Sequence, residues 1–202
     1  MAKQVQALKA AQLTKDLVVP DATIKRANQF LDKVSSGSRK AVYGYTAPNG
    51  APATNLTAVG LLCRYYIAKW GPGNAGLAEG VEGLFKKAPD KLKAGTKPEM
   101  YYYYYATQVV HFAEGPEWKD WNEGPMKNGK REGGMRDTLI KLQDQKPGAH
   151  NGSWESDGGS IGTHCGRVGT TALSLLTLEV YYRHLPLYKR DSGGLKALDA
   201  IK

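Results

Sequence analysis

Apolar residues recur along this chain at spacings of three and four. After Asp21, the residues Ile24, Ala27, Leu31 and Val34 make one stripe on an otherwise polar stretch, the pattern of an amphipathic helix. Asp21, directly after Pro20, is placed to cap it. A second stripe starts at Gly76, with Leu77, Val81, Leu84 and Phe85. A third starts near Gly134, with Met135, Leu139, Ile140 and Leu142. Between these stripes lie segments of another kind. Residues 54–69 (TNLTAVGLLCRYYIAK), 98–114 and 167–183 (RVGTTALSLLTLEVYYR) are apolar or small nearly all round. A helix apolar on all sides is expected to be buried on all sides. Thr96 and Glu99 have the spacing of a capping box before the middle one. The N-terminal segment adds a further buried helix. No strand pattern competes, since Pro20 follows Val18 and Val19 at once.

The amphipathic starts recur with a period of about 50–60 residues, the range of helical-hairpin repeats. Two of the buried segments share wording: TAVGLL (57–62) matches TALSLL (171–176). The loops before them, VYGYTAPNG and NGSWESDGG, also rhyme. The expected fold is therefore all-α: one domain over residues 1–202, with about seven helices in hairpin repeats. The run MYYYYYATQVVHF (100–112) fits that arrangement. Consecutive helical residues point about 100° apart, so Tyr101, Tyr102, Tyr103, Tyr104 and Tyr105 reach every face. Tyrosine fills volume and carries a polar tip. Core packing and a tyrosine-lined ligand cavity both remain open as readings.

The stretch MRDTLIKLQDQKPGAHNGSW resembles the Gln–Trp repeat motif of terpene cyclases and protein prenyltransferases. Arg136, Leu139, Gln143, Gly152 and Trp154 match in order, with a longer gap before the glycine. A degenerate copy uses Arg26, Gln29 or Asp32, then Gly44 and Tyr45. The ending GRVGTTALSLLTLEVYYRHLPLY is similar to the closing segment of bacterial proteins carrying such repeats. The resemblance implies an α/α toroid around a central cavity, of which this chain would supply about half. It also implies a cavity ligand of isoprenoid type. In that cavity the candidate ligand-binding residues are the five tyrosines, His111, Arg64 and Arg167.

The family chemistry does not map simply onto these residues. The cyclase Asp-x-Asp-Asp motif is absent. Glu155 and Asp157 read as loop carboxylates or, alternatively, as a general acid. Asp157, His164 and Cys165 are residue types that suit zinc, but their spacing differs from the prenyltransferase pattern. No cofactor is expected, with zinc the alternative. Arg64 sits among apolar neighbours and needs a carboxylate partner; Glu179 is a candidate. Residues GPGNAG (71–76) read as a turn, since they lack a phosphate-binding lysine.

Composition narrows the partners. Apolar content is 41% and charged content 23% over 202 residues, a soluble globular balance, and the apolar runs are too short to span a bilayer. The net charge of +9 is loosely concentrated at Lys86–Lys97 and Lys127–Arg136. That reads as a solvated surface or an anion-binding one, and no nucleic-acid motif accompanies it. Cys63, in an apolar run, and Cys165, in a glycine-rich loop, read as separate thiols in a cytoplasmic protein. The expected function is a non-catalytic binding or assembly module, self-associating or meeting a partner protein at exposed repeat edges. The alternative is an enzyme acting on an isoprenoid or similar apolar small molecule.

Overall fold

Pro20 is extended (φ −61°, ψ 135°), and the chain turns helical at Asp21. The computed structural model describes residues 2–14 and 17–182, without the side chains of Ala2, Tyr181 and Tyr182. Its helices are α1 Ala2–Leu13, α2 Asp21–Val34, α3 Asn55–Ile67, α4 Ala75–Leu84, α5 Met100–Phe112, α6 Glu117–Asn122, α7 Met135–Leu142 and α8 Ser160–Leu178. The short α6 is an addition to the expected set. Two strand pairs also form, each strand two residues long: β1 Ser35–Ser36 with β2 Val42–Tyr43, and β3 Met126–Lys127 with β4 Lys130–Arg131. The latter closes on Asn128 and Gly129, both at positive φ (49° and 78°), the geometry a two-residue hairpin demands. Its exposed Lys127 and Lys130 account for part of the charge concentration.

The long helices lie side by side in chain order: α1 against α3, α3 against α5, α5 against α8. The amphipathic helices cover this row. α2 and α4 pack on α3, α4 and α6 on α5, and α7 on α8. The expected stripes do this packing. Leu31 and Val34 of α2, Leu77, Val81 and Leu84 of α4, and Met135 and Leu139 of α7 are buried. Ile140 and Leu142 are not; they are 54% and 39% exposed, because α7 ends one turn past Leu139 and leaves them at its rim. In the row itself, Ala58, Leu61 and Leu62 are fully enclosed. Burying each leucine contributes about 1.5–3 kcal/mol. Gly60 and Gly80 permit the close contacts: a Cβ would lie 2.3 Å from the Tyr43 ring at Gly60 and 2.4 Å from Leu61 at Gly80.

Several helix ends differ from the sequence reading. Asp21 is the first helical residue, not the cap, since extended Pro20 already fills that place. The Thr96–Glu99 box does not form. Thr96 Oγ1 donates to the Lys93 carbonyl instead, and Glu99 Oε1 accepts from Asn55 Nδ2 at 2.6 Å. The α5 N-terminus is capped from afar, by Asp157, whose Oδ2 accepts from Met100 N–H at 2.7 Å. Helix α8 begins before Cys165 and kinks at Gly166 (φ 57°), so Cys165 is an exposed helical residue, not a loop thiol. Nor is α8 enclosed: Val168, Leu175 and Leu176 are exposed. Helix α1 contributes only Val5 to the fully buried set, because one side faces solvent at Lys3, Gln4, Ala7 and Ala10.

The two matched hexapeptides share one local geometry. Tyr43 N–H donates to Thr57 Oγ1 at 3.1 Å, and Trp154 N–H donates to Thr171 Oγ1 at 3.0 Å. In both places the donor residue also pairs with the residue closing the preceding helix, Ser35 with Tyr43 and Gln143 with Trp154. The residue matching Trp154 is thus Tyr43, 1% exposed, and not Tyr45, which is 75% exposed.

Candidate functional site

The five tyrosines divide between the packed sides of α5. Tyr102 and Tyr103 turn toward the end of α4, where their hydroxyls donate to the carbonyls of Leu84 (2.9 Å) and Lys87 (3.1 Å). Leu84 is the last residue of α4 and Lys87 lies in the turn after it, so the two phenols tie α5 to that end of α4. Burial pushes both phenols well above the usual tyrosine range. Tyr105, also buried and also raised, meets Tyr101 edge-on with centroids 5.0 Å apart and Tyr104 at 4.9 Å. Tyr101 and Tyr104 are half-buried, and Tyr101 lines an open surface.

That surface is a groove of about 380 Å³ between the end of α2, the β2 loop and the start of α3. Phe30, Tyr45, Leu56, Val59 and Tyr101 line it, over a floor that includes Tyr43 and Gly60. Among the described residues its walls hold no acidic, basic or histidine side chain. Phe30, Tyr45 and Leu56 are 37%, 75% and 38% exposed, so aromatic and aliphatic carbon faces the opening. Sequence reasoning missed Phe30, Leu56 and Val59. Phe30 lies beside the α2 stripe rather than on it. Leu56 and Val59 belong to a helix whose all-round apolar character suggested complete burial.

The other expected cavity residues are dispersed. Arg64 is 4% exposed and held beneath the groove floor. Its Nη2 pairs with Asp32 Oδ1, its Nε donates to the Tyr43 hydroxyl at 3.1 Å, and its guanidinium lies 5.3 Å from the Trp70 ring centroid. The carboxylate partner is therefore Asp32 and not Glu179, which is exposed at the end of α8. Lys40 also bonds Asp32 (2.9 Å) and, with Arg64, holds its carboxyl below the ordinary carboxylate value despite burial acting the other way. Arg167 binds Ser153 Oγ at 2.8 Å and approaches Asp144 at 3.6 Å, tying α8 to the preceding loop. His111 lies at the far end of α5, its ring 4.7 Å from that of Trp118.

The proposed metal trio does not assemble. Asp157 Oδ1 accepts from the N–H groups of Gly159 (2.9 Å) and Gly162 (3.1 Å), while Oδ2 serves Met100. One carboxylate thus caps the N-termini of α8 and α5, where negative charge is favoured. A Cβ at Gly162 would lie 2.1 Å from it. His164 is exposed with Nδ1 2.7 Å from the Ser160 carbonyl, and Cys165 is exposed on the same helix. Among the described residues no three His, Cys, Asp or Glu side chains are grouped to hold a metal.

The Gln–Trp residues form a clasp. Gln143 Nε2 donates to the Gly152 carbonyl at 2.8 Å, and Gly152 sits at φ +80°. Trp154 is 3% exposed, and its indole N–H donates to the Leu139 carbonyl at 2.8 Å. Arg136 pairs with Asp137 at 2.9 Å. Cys63 lies buried in the row, and desolvation pushes its thiol up to about 12. Among the described residues no helix is long and apolar enough to cross a membrane. No family model, no curated protein and no solved structure matches this chain.

Proposed function

We propose that this protein is a non-catalytic binding module, whose groove beside Tyr101 takes an apolar ligand of isoprenoid type. Its helices would form part of an α/α toroid like those the Gln–Trp resemblance implies. The observation that carries this reading is the groove itself: open aromatic and aliphatic walls without an acid, base or cation among the described residues. Its volume of about 380 Å³ falls in the range of small-molecule sites, roughly 300–1,000 Å³. An isoprenoid-processing enzyme would need a general acid or a cationic clamp for a diphosphate. The side chains of the right chemistry, Arg64, Asp157 and Arg167, are engaged in the hydrogen bonds and ion pairs that hold the fold together.

Calorimetric titration with a C15 prenyl alcohol tests the proposal. The expected result is saturable binding with a negative heat-capacity change, as apolar burial requires. Val59→Trp should fill the groove and weaken binding by at least about tenfold while the melting temperature stays close to wild type. Failure of the wild-type protein to saturate, or undiminished binding by Val59→Trp, would refute it.

A further inference from the structure

Three hydroxyl side chains of α8 are enclosed: Thr170, Ser174 and Thr177. Two of them satisfy themselves on their own helix. Thr170 donates to the Gly166 carbonyl at 3.3 Å and Thr177 to the Leu173 carbonyl at 2.7 Å. Ser174, between them, makes no such bond. It is 0% exposed, and its Oγ has no hydrogen-bond partner among the described residues. A buried hydroxyl in that position has given up water and gained nothing in return. The large majority of buried polar groups in folded proteins do have a partner. Closing on the carbonyl four residues back is open to serine as it is to threonine. Ser174 instead lines a cavity.

The cavity is a pocket of about 70 Å³ beside the Gln–Trp clasp. Met100 and Trp154, both buried, supply its carbon walls together with Pro98 and the half-exposed Leu142. Its charged lining is already matched. Lys97 and Glu155, both open to solvent, pair with each other at 3.0 Å. Asp157 spends its two oxygens on the N–H groups of Gly159, Gly162 and Met100. Thr170 has committed its hydrogen to Gly166. Ser174 is thus the free polar anchor on a wall that is otherwise carbon or engaged.

This lining specifies a ligand. With no unmatched charge beside it, the ligand is neutral, since a buried ion needs a counter-charge. It carries one group able to donate to or accept from a hydroxyl, and a hydrocarbon body for the walls. An apolar cavity of about 150 Å³ takes benzene, so about 70 Å³ takes roughly three or four non-hydrogen atoms. Water suits the site less well, because a buried water typically makes about three hydrogen bonds. We propose that this pocket is a binding site for a short-chain alcohol, whose hydroxyl bonds Ser174 Oγ and whose alkyl body lies against Met100, Leu142 and Trp154. The site is separate from the groove beside Tyr101, and no residue lines both.

Titration of the ¹⁵N-labelled protein with propan-1-ol, followed by amide correlation spectra, tests the proposal. The expected result is saturable shifts at the Met100 and Ser174 amides and the Trp154 indole N–H. So few atoms place half-saturation in about the millimolar range. Ser174→Ala should weaken binding roughly fivefold, while its melting temperature equals or exceeds that of wild type, because the hydroxyl it removes has no protein partner. Shifts that rise without saturating, or equal affinity in Ser174→Ala, would overturn the proposal. A fall of about 4 °C or more in the melting temperature of Ser174→Ala would also overturn it, by showing that the hydroxyl is satisfied without alcohol. Val59→Trp, with its groove filled, should give the same half-saturation as wild type. Loss of the shifts in that variant would assign them to the groove and overturn the separate site. Failure of the groove to bind a C15 prenyl alcohol would leave this site standing.

Discussion

Truncating Trp154 to alanine tests the clasp that joins α7 to α8. The ring is 3% exposed, and its N–H is the partner of the Leu139 carbonyl, one of the last carbonyls of α7. Removing a buried tryptophan costs about 3–5 kcal/mol through lost transfer energy and residual cavity. The lost indole hydrogen bond accounts for about 1 kcal/mol of such a loss, the Leu139 carbonyl keeping its bond from Gln143 N–H at 3.1 Å. Trp154→Phe separates the two parts: it keeps most of the apolar volume and should lose about 1–2 kcal/mol. Urea unfolding followed by circular dichroism provides the measurement. With a slope near 2 kcal/mol per molar, the alanine midpoint should fall by about 2 M and the phenylalanine midpoint by less than about 1 M. An alanine shift below about 0.5 M would refute the reasoning, because it would mean that the indole contributes neither packing nor an obligatory hydrogen bond.

Asp157→Ala removes the acceptor of three N–H groups on two helices and should cost about 2 kcal/mol, seen as a fall of about 4–8 °C in melting temperature. Gly60→Ala drives a methyl into the Tyr43 ring and should destabilise by about 1–3 kcal/mol; a neutral result in urea would show that the ring can withdraw. A disulfide reagent at pH 8 should modify Cys165 alone in the native protein and both cysteines after denaturation, since the Cys63 thiol, up to about 12 by burial, supplies almost no thiolate. Asp32, lowered by Lys40 and Arg64, contributes stability that is present above the ordinary carboxylate value and lost as pH falls through its folded-state value. Wild type should therefore lose more stability than Asp32→Asn between about pH 5 and pH 2.5, and equal losses would refute the pairing.

Period and amphipathicity were the legible part of the fold. Leu31, Val34, Leu77, Val81, Met135 and Leu139 could be assigned to the core from spacing alone, because each covers a neighbouring helix with one face. Helix termini were not legible. The cap of α5 comes from Asp157, 57 residues away, and no local pattern such as Thr96–Glu99 reveals that. Tyr43 rather than Tyr45 takes the tryptophan-like place because register there follows the pairing with Ser35, a contact across a loop. Arg64 was legible as a buried cation in need of a partner. Which carboxylate serves depends on how α2 lies against α3, and this brings up Asp32. The groove was the least visible feature: Phe30, Leu56 and Val59 acquire meaning only once Tyr101 arrives from another helix. The apolar pattern of α8 was read correctly, but its surroundings were not. Hydrophobicity tells that a face is meant for cover, not what supplies it.

The double cap at Asp157 also sets an order of events on the ribosome. Helix α5, the middle of the row, has its sequence complete at Phe112, yet its first N–H group finds its acceptor only after residue 157 has been made. At about 5–20 residues per second that is a delay of roughly 2–9 s. During this interval the tyrosine-rich helix has neighbours for one flank only, since α8 has not been made. The nascent chain therefore exposes its most aromatic segment for seconds, until the capping carboxylate and helix α8 arrive together.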